Sequence, residues 1–416
     1  MADSPHPVQR PSRYRRVRWW LARLLLATAA TLLALKAGDA TLGWTSGIAT
    51  RHRLRLSPHV SIRHHSTEFD YEYRTNSLGL RGQEYPRARS PDTWRIAVVG
   101  DSLVAGYGVA EADLLTTRLK QRLTESLRRA GDPRNVEVIN VGRSGSSTIR
   151  ELDLYQQVVR PWRPDVIVLA YFLGNDLAEV VEESNERELA GWHPPGVVRR
   201  AAYGCLPNLY LELAMRKQAM QDRQQRGQRT ARDVVAAVRE AASNRGRDPG
   251  LAEQHYLALP LEIRRDVESG LLQPWRVFHG CFEPERFRDA IDPGDPFFER
   301  AWPRTTSHLE RFLAVAAQDQ ARFVLAILPA GCQVDQAVAD YDRLLGYDVA
   351  QEWLHRPGRT QQALATWCRE QSVPCLDLTN TFRNSRQPLY YPLDGHFNPA
   401  GQDKAAQELA AFLLAQ

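Results

Sequence analysis

Five short apolar runs, Arg95 to Val99, Val136 to Val141, Val166 to Tyr171, Phe323 to Leu328 and Val373 to Leu378, most restrict what this chain can fold into. Each is rich in Val, Ile and Leu and lacks the polar alternation of a half-exposed strand, so each reads as a strand buried on both faces, as parallel strands are. Helical patterns lie between them. Leu114, Leu119, Leu123 and Leu127 recur at helical spacing within Leu114 to Leu127, and Gln402 to Leu414 makes a closing helix after Pro399-Ala400-Gly401. Strands alternating with helices predict an α/β fold, an open parallel five-stranded sheet with helices on both faces. Sites in such sheets lie at the carboxyl ends of the strands.

Polar motifs stand at the ends of these runs. Gly100-Asp101-Ser102 closes the first, Asn140-Val141-Gly142-Arg143-Ser144-Gly145 the second and Gly174-Asn175-Asp176 follows the third, while Asp394-Gly395-His396, near the other end of the chain, also reads as a strand end. Taken singly, each is composed as an ordinary turn is. Together they fit one chemistry. A serine hydroxyl is a weak nucleophile at neutral pH and needs a base, usually histidine, with a third group holding that base in its working tautomer. Ser102, His396 and Asp394 can fill these roles. Acyl transfer also needs donors aimed at the developing oxyanion, which the second and third motifs offer.

In type and order the four blocks resemble those of the SGNH hydrolases, the GDSL esterases and lipases, over residues 93 to 180 and 320 to 416. The resemblance implies a flavodoxin-like three-layer sandwich and a serine esterase that needs neither cofactor nor metal. It makes Ser102 the nucleophile and, through its N–H, one oxyanion donor; Gly145 gives a second N–H and Asn175 a side-chain amide. His396, within Asp394-Gly395-His396-Phe397-Asn398-Pro399-Ala400-Gly401, becomes the base and Asp394 its partner. The family more often places two residues between this Asp and His, whereas Gly395 alone separates them here; an extended segment would still point both side chains the same way. The substrate expected is an acyl ester, such as an O-acetyl group on a glycan, or a lipid ester. Two alternatives stay open: an O-acyltransferase acting on a cell-envelope polysaccharide with the same residues, and a non-catalytic glycan-binding or assembly protein of the envelope.

Arg10, Arg13, Arg15, Arg16 and Arg18 precede Trp19-Trp20, and Leu24 to Leu35 is uninterruptedly apolar, with Arg23 able to snorkel. This is a membrane-targeting pattern, and the arginines hold the N-terminus on the cytoplasmic side. The expectation is a single-pass inner-membrane protein with an extracytoplasmic catalytic domain; the alternative is a periplasmic or secreted form cleaved near Gly38-Asp39-Ala40. The organisation expected is a basic tail (1–18), a membrane segment (19–38), a lead-in (39–92), a core in two parts (93–180 and 306–416) and a helical lid (181–305). Within the lid, Pro207 to Gln224 and Thr230 to Ala242 are helical patterns, and Trp275, Phe278 and Phe297-Phe298 add aromatic surface. The lead-in stretch Asn76 to Glu84 resembles that of bacterial membrane-associated members of the family. The net charge of +5 comes with no nucleic-acid motif, and its basic residues alternate with acids, so nucleic acid is not an expected partner. The five cysteines lack zinc spacing, which argues against a metal site. In an oxidising compartment Cys368 and Cys375 are the pair expected to bridge.

Overall fold

The computed structural model describes residues 13–46, 54, 56–188, 196–224 and 231–416. Arg10 with most of the basic tail, parts of the lead-in and lid, and the expected helix start at Thr230 lie outside the described residues. The chain divides into two compact units, residues 1–55 with 191–224, and residues 56–190 with 225–416.

In the larger unit a hairpin pairs β1 (Ser61–His65) antiparallel with β2 (Asp70–Arg74). The main sheet follows with β3 (Thr93–Gly100), β4 (Asn135–Gly142), β5 (Val166–Phe172), β6 (Arg322–Leu328) and β7 (Cys375–Asp377). All its pairs are parallel, in the order β4-β3-β5-β6-β7. This is the flavodoxin-like winding, whose switch point falls between β3 and β5. The five runs are apolar because the sheet is covered on both sides. Ile96, Val98, Val136, Val138, Val166 and Val168 join one core with Leu119 and Leu123 of helix Leu115–Arg129 and Leu409 and Leu413 of helix Pro399–Leu414. The alternate residues Ala97, Val99, Ile139, Ile167 and Leu169 are equally buried on the other face. On that face Phe312, in helix Asp295–Gln318, stacks on Phe323 of β6 with centroids 5.8 Å apart.

The structure adjusts several expected boundaries. β7 is three residues long, shorter than the Val373 to Leu378 run, because it pairs only with Leu325–Ile327 at the sheet edge. The closing helix starts earlier, at Pro399, where Asn398 caps it by accepting the Gly401 N–H at 3.0 Å. Helix Asp295–Gln318 runs through the expected lid boundary at residue 305. Ahead of it, helices Ala231–Asn244, Pro249–Ala258, Leu261–Glu268 and Pro274–Phe282 enclose a second core of Val238, Tyr256, Ile263, Phe278 and Trp353. The expected Cys368–Cys375 bridge is corrected to two free thiols in hydrogen-bond contact. That contact and burial push the Cys368 thiol above its ordinary pKa.

In the smaller unit, helix Arg13–Ser46 contains a stretch, Val17–Thr45, long and apolar enough to cross a membrane, with a mean hydropathy of 1.5. Asp39 on this helix accepts the Leu209 N–H at 2.8 Å and the Asn208 amide at 3.1 Å, which caps helix Pro207–Gln224.

Candidate active site

One residue, Asp101, separates the end of β3 from Ser102, which opens a four-residue helix, Ser102–Ala105. Asp101 makes this turn: fully buried, it accepts the Leu103 N–H at 2.9 Å, and Gly106 ends the helix in the left-handed region at φ 69°. Close packing leaves the turn little freedom. A Cβ at Gly142, at the end of β4, would come within 2.1 Å of the Ala105 nitrogen.

The structure brings Ser102, His396 and Asp394 together across 294 residues of sequence. His396 Nε2 lies 2.8 Å from Ser102 Oγ, and His396 Nδ1 lies 2.5 Å from Asp394 Oδ1. Asp394 and Ser102 are buried, and His396 is half-buried. Burial opposes a charged imidazolium, but Asp394 beside it, helped by Asp101, outweighs that penalty and holds the His396 pKa above the ordinary histidine value. Burial likewise pushes Asp394 up, and the contact with His396 more than reverses this, leaving its carboxyl below its ordinary value. Each partner thus favours the charged form of the other.

Two expectations about this segment are corrected. Asp394-Gly395-His396 does not end a strand, since helix Thr379–Arg383 and an irregular loop separate it from β7. Nor is it extended. Gly395 has φ 87°, a left-handed conformation that strains any residue with a Cβ, and its N–H returns to the Tyr391 carbonyl at 2.8 Å. The tight turn, rather than an i, i+2 strand geometry, brings the carboxylate to the imidazole. One intervening residue suffices because that residue is glycine.

Gly145, in the loop after β4, and Asn175, in the loop after β5, line the same cavity of about 500 Å³ as the triad. No hydrogen bond within the described residues engages the N–H of Ser102 or Gly145. Asn175 differs. Its amide donates to Asp101 Oδ2 at 3.3 Å and Glu179 Oε1 at 3.1 Å, so an oxyanion would have to take over the longer of these bonds. Glu179 is in turn paired with the half-buried Arg286 at 2.9 Å. Phe172, Trp275, Phe287, Val338 and Tyr347 make the cavity wall mainly apolar. Among the described residues no group of three or more His, Cys, Asp or Glu is placed to hold a metal ion.

Sequence reasoning missed the residues that brace the site. The lead-in reads as a connecting segment, yet Arg81 is fully buried and donates to the carbonyls of Ala105, Gly106 and Val109, just after Ser102. The Tyr107 ring lies tilted against His396, with centroids 4.9 Å apart, and its hydroxyl accepts from Gln273, just before helix Pro274–Phe282. Arg81 stands in the mostly polar stretch Asn76 to Glu84, where a charged residue gives no local sign of burial.

No family model and no curated protein matches the chain. Solved structures are similar to it at low identity. A lipolytic protein of the G-D-S-L family from Desulfitobacterium hafniense is 10% identical over 77% of this chain and 99% of its own, with a TM-score of 0.35. An acetyl xylan esterase is 10% identical over 76% of this chain and 98% of its own, TM-score 0.34. A lipase/acylhydrolase from Enterococcus faecalis is 12% identical over 77% and 95%, TM-score 0.33. Superpositions this loose carry no weight for the chemistry, which rests on the residues themselves.

Proposed function

We propose that this chain is a serine ester hydrolase of the SGNH type that works through an acyl-enzyme on Ser102. The hydrogen-bonded chain Ser102–His396–Asp394 at the edge of a largely apolar cavity carries this reading. His396 Nε2 takes the serine proton as Oγ attacks the ester carbonyl, then returns a proton to the departing alcohol. Water, activated by the same imidazole, releases the acid. The Ser102 and Gly145 N–H groups, with the Asn175 amide as third donor, stabilise the oxyanion in both steps. The test is covalent modification: a fluorophosphonate is expected to label the purified protein at one site, which peptide mapping assigns to Ser102. Labelling elsewhere, or none, contradicts the proposal.

The apolar helix acts in this reading as a membrane anchor, with the arginine cluster keeping its start in the cytoplasm and the catalytic unit outside. A periplasm-active reporter fused after Gln416 is expected to be functional and membrane-bound. A cytoplasm-active reporter working there would reverse the orientation, and a soluble product would replace the anchor by a cleaved signal.

A further inference from the structure

The loop bearing Asp394 and His396 has little regular structure of its own, and such segments open locally at low free energy unless something holds them. Two charged side chains from distant parts of the chain hold this one. Glu68, in the connection between β1 and β2, uses both carboxylate oxygens: Oε1 accepts the Leu393 N–H at 2.9 Å and Oε2 the Asp394 N–H at 2.7 Å. Arg276, on helix Pro274–Phe282, donates through Nη1 to the Pro392 carbonyl at 3.2 Å and the Leu393 carbonyl at 2.9 Å. Its Nε and Nη2 grip the buried Asp342 at 3.0 and 2.5 Å. Gly395 completes the fit, because a Cβ there would lie 2.5 Å from Arg276 Nη1.

We propose that Glu68 and Arg276 form a clamp that positions His396 against Ser102, the anion holding the loop by its N–H groups and the cation by its carbonyls. The clamp rests on the reading of Ser102 as nucleophile. It deepens that reading by assigning a working role to the lead-in hairpin and to the lid helix. Hydrogen bonds to ionised groups are roughly twice as strong as neutral ones, and a planar guanidinium fork fixes direction as well as distance. Both features suit a device whose task is geometry. Neither residue is hydrogen-bonded to Ser102 or His396, and both act on the loop, Arg276 also lining the cavity, so each is assigned as a positioning residue.

The carboxylate makes the clamp unusually sensitive to an isosteric change. Glu68→Gln keeps the volume but has one acceptor oxygen for two N–H groups, and its own NH₂ must face a donor. Arg276→Lys keeps the charge but cannot hold Asp342 and the loop carbonyls together. The experiment uses the full chain and an aryl ester, with kcat expressed per serine titrated by fluorophosphonate. In each variant kcat per titrated site is expected to fall roughly 10- to 100-fold, the scale of a small misplacement remote from the chemistry, while KM and the thermal midpoint stay near wild type. The double variant should lose little more than the worse single one, because both act on one loop. A purely structural role would instead lower the midpoint and the titratable fraction, leaving kcat per site unchanged, and that result overturns the clamp. Should Glu68→Gln not fold, Arg276→Lys decides by the same criterion. A wild-type protein that the probe fails to label sinks the serine-hydrolase reading and the clamp with it, whereas a labelled wild type with unaffected variants sinks the clamp alone.

Discussion

Ser102→Ala is expected to remove essentially all turnover of a small aryl ester, a loss on the order of 10⁶ in kcat by comparison with other serine nucleophiles. The substitution deletes one oxygen and no packed apolar surface, since Oγ faces the cavity and His396 Nε2. Water can take the vacated place beside the imidazole. The backbone N–H of residue 102 remains, so the oxyanion donors and the cavity survive, and ester binding should be retained with weak residual catalysis. The thermal midpoint should stay within a few degrees of wild type, because no mechanism that strongly destabilises operates here. Turnover and midpoint measured on one preparation settle the matter. A folded Ser102→Ala protein with substantial esterase activity would remove Ser102 from the mechanism.

The parts of this molecule that were legible in the sequence share one physical property: their signal is local. Strands buried on both faces are apolar along most of their length, so β3 to β6 appear as apolar runs, interrupted in β3 and β4 by the buried Arg95, Glu137 and Asn140. Helix Leu115–Arg129 shows its buried stripe at Leu119, Leu123 and Leu127 because only one of its faces meets the sheet, whereas Leu114, grouped with them by spacing, caps the helix start and Leu115 is the buried first residue. Ser102, Gly145 and Asn175 sit in turns of ordinary composition, and what marks them is their order and their place at the ends of the apolar runs. Local signals fail where a segment gets its shape from elsewhere. The segment from Ser61 to Arg74 is polar and aromatic and reads as a connector, yet it forms a hairpin whose Glu68 reaches Asp394 across 326 positions. Arg276 meets Leu393 across 117 positions, and no pattern around either residue encodes the meeting.

The Asp394-Gly395-His396 spacing shows the same limit from the other side. Read as extended chain, the motif is merely compatible with a pair. Only the left-handed conformation of Gly395 shows how a single intervening residue turns the carboxylate onto Nδ1. Glycine at that position is informative in retrospect, since it combines a positive φ with room for the Arg276 guanidinium.

Asp394→Asn is the second substitution expected to have a large effect, and it tests the short turn directly. In the reading above, Nδ1–H donates to the carboxylate, which leaves the Nε2 lone pair facing the Ser102 hydroxyl. An amide at position 394 can present its NH₂ to Nδ1 and stabilise the opposite tautomer, whose Nε2 already carries a proton and cannot accept the serine's. The equivalent change in Ser-His-Asp sites lowers kcat by about 10⁴ with the geometry intact. The pH profile should move as well. Asp394 is the chief group holding the His396 pKa above the ordinary histidine value, and Asp101 adds to it while Arg276 acts against it. Catalysis needs the neutral imidazole, so wild-type kcat/KM should rise through that elevated pKa as pH increases. Without the carboxylate charge the imidazolium loses its main stabilising partner, its pKa falls, and the acid limb shifts to lower pH beneath a far lower plateau. Measuring kcat/KM against pH for both proteins separates the possibilities. A variant of near-normal rate and unshifted acid limb would show that Asp394 does not orient His396, and the base would then need another partner.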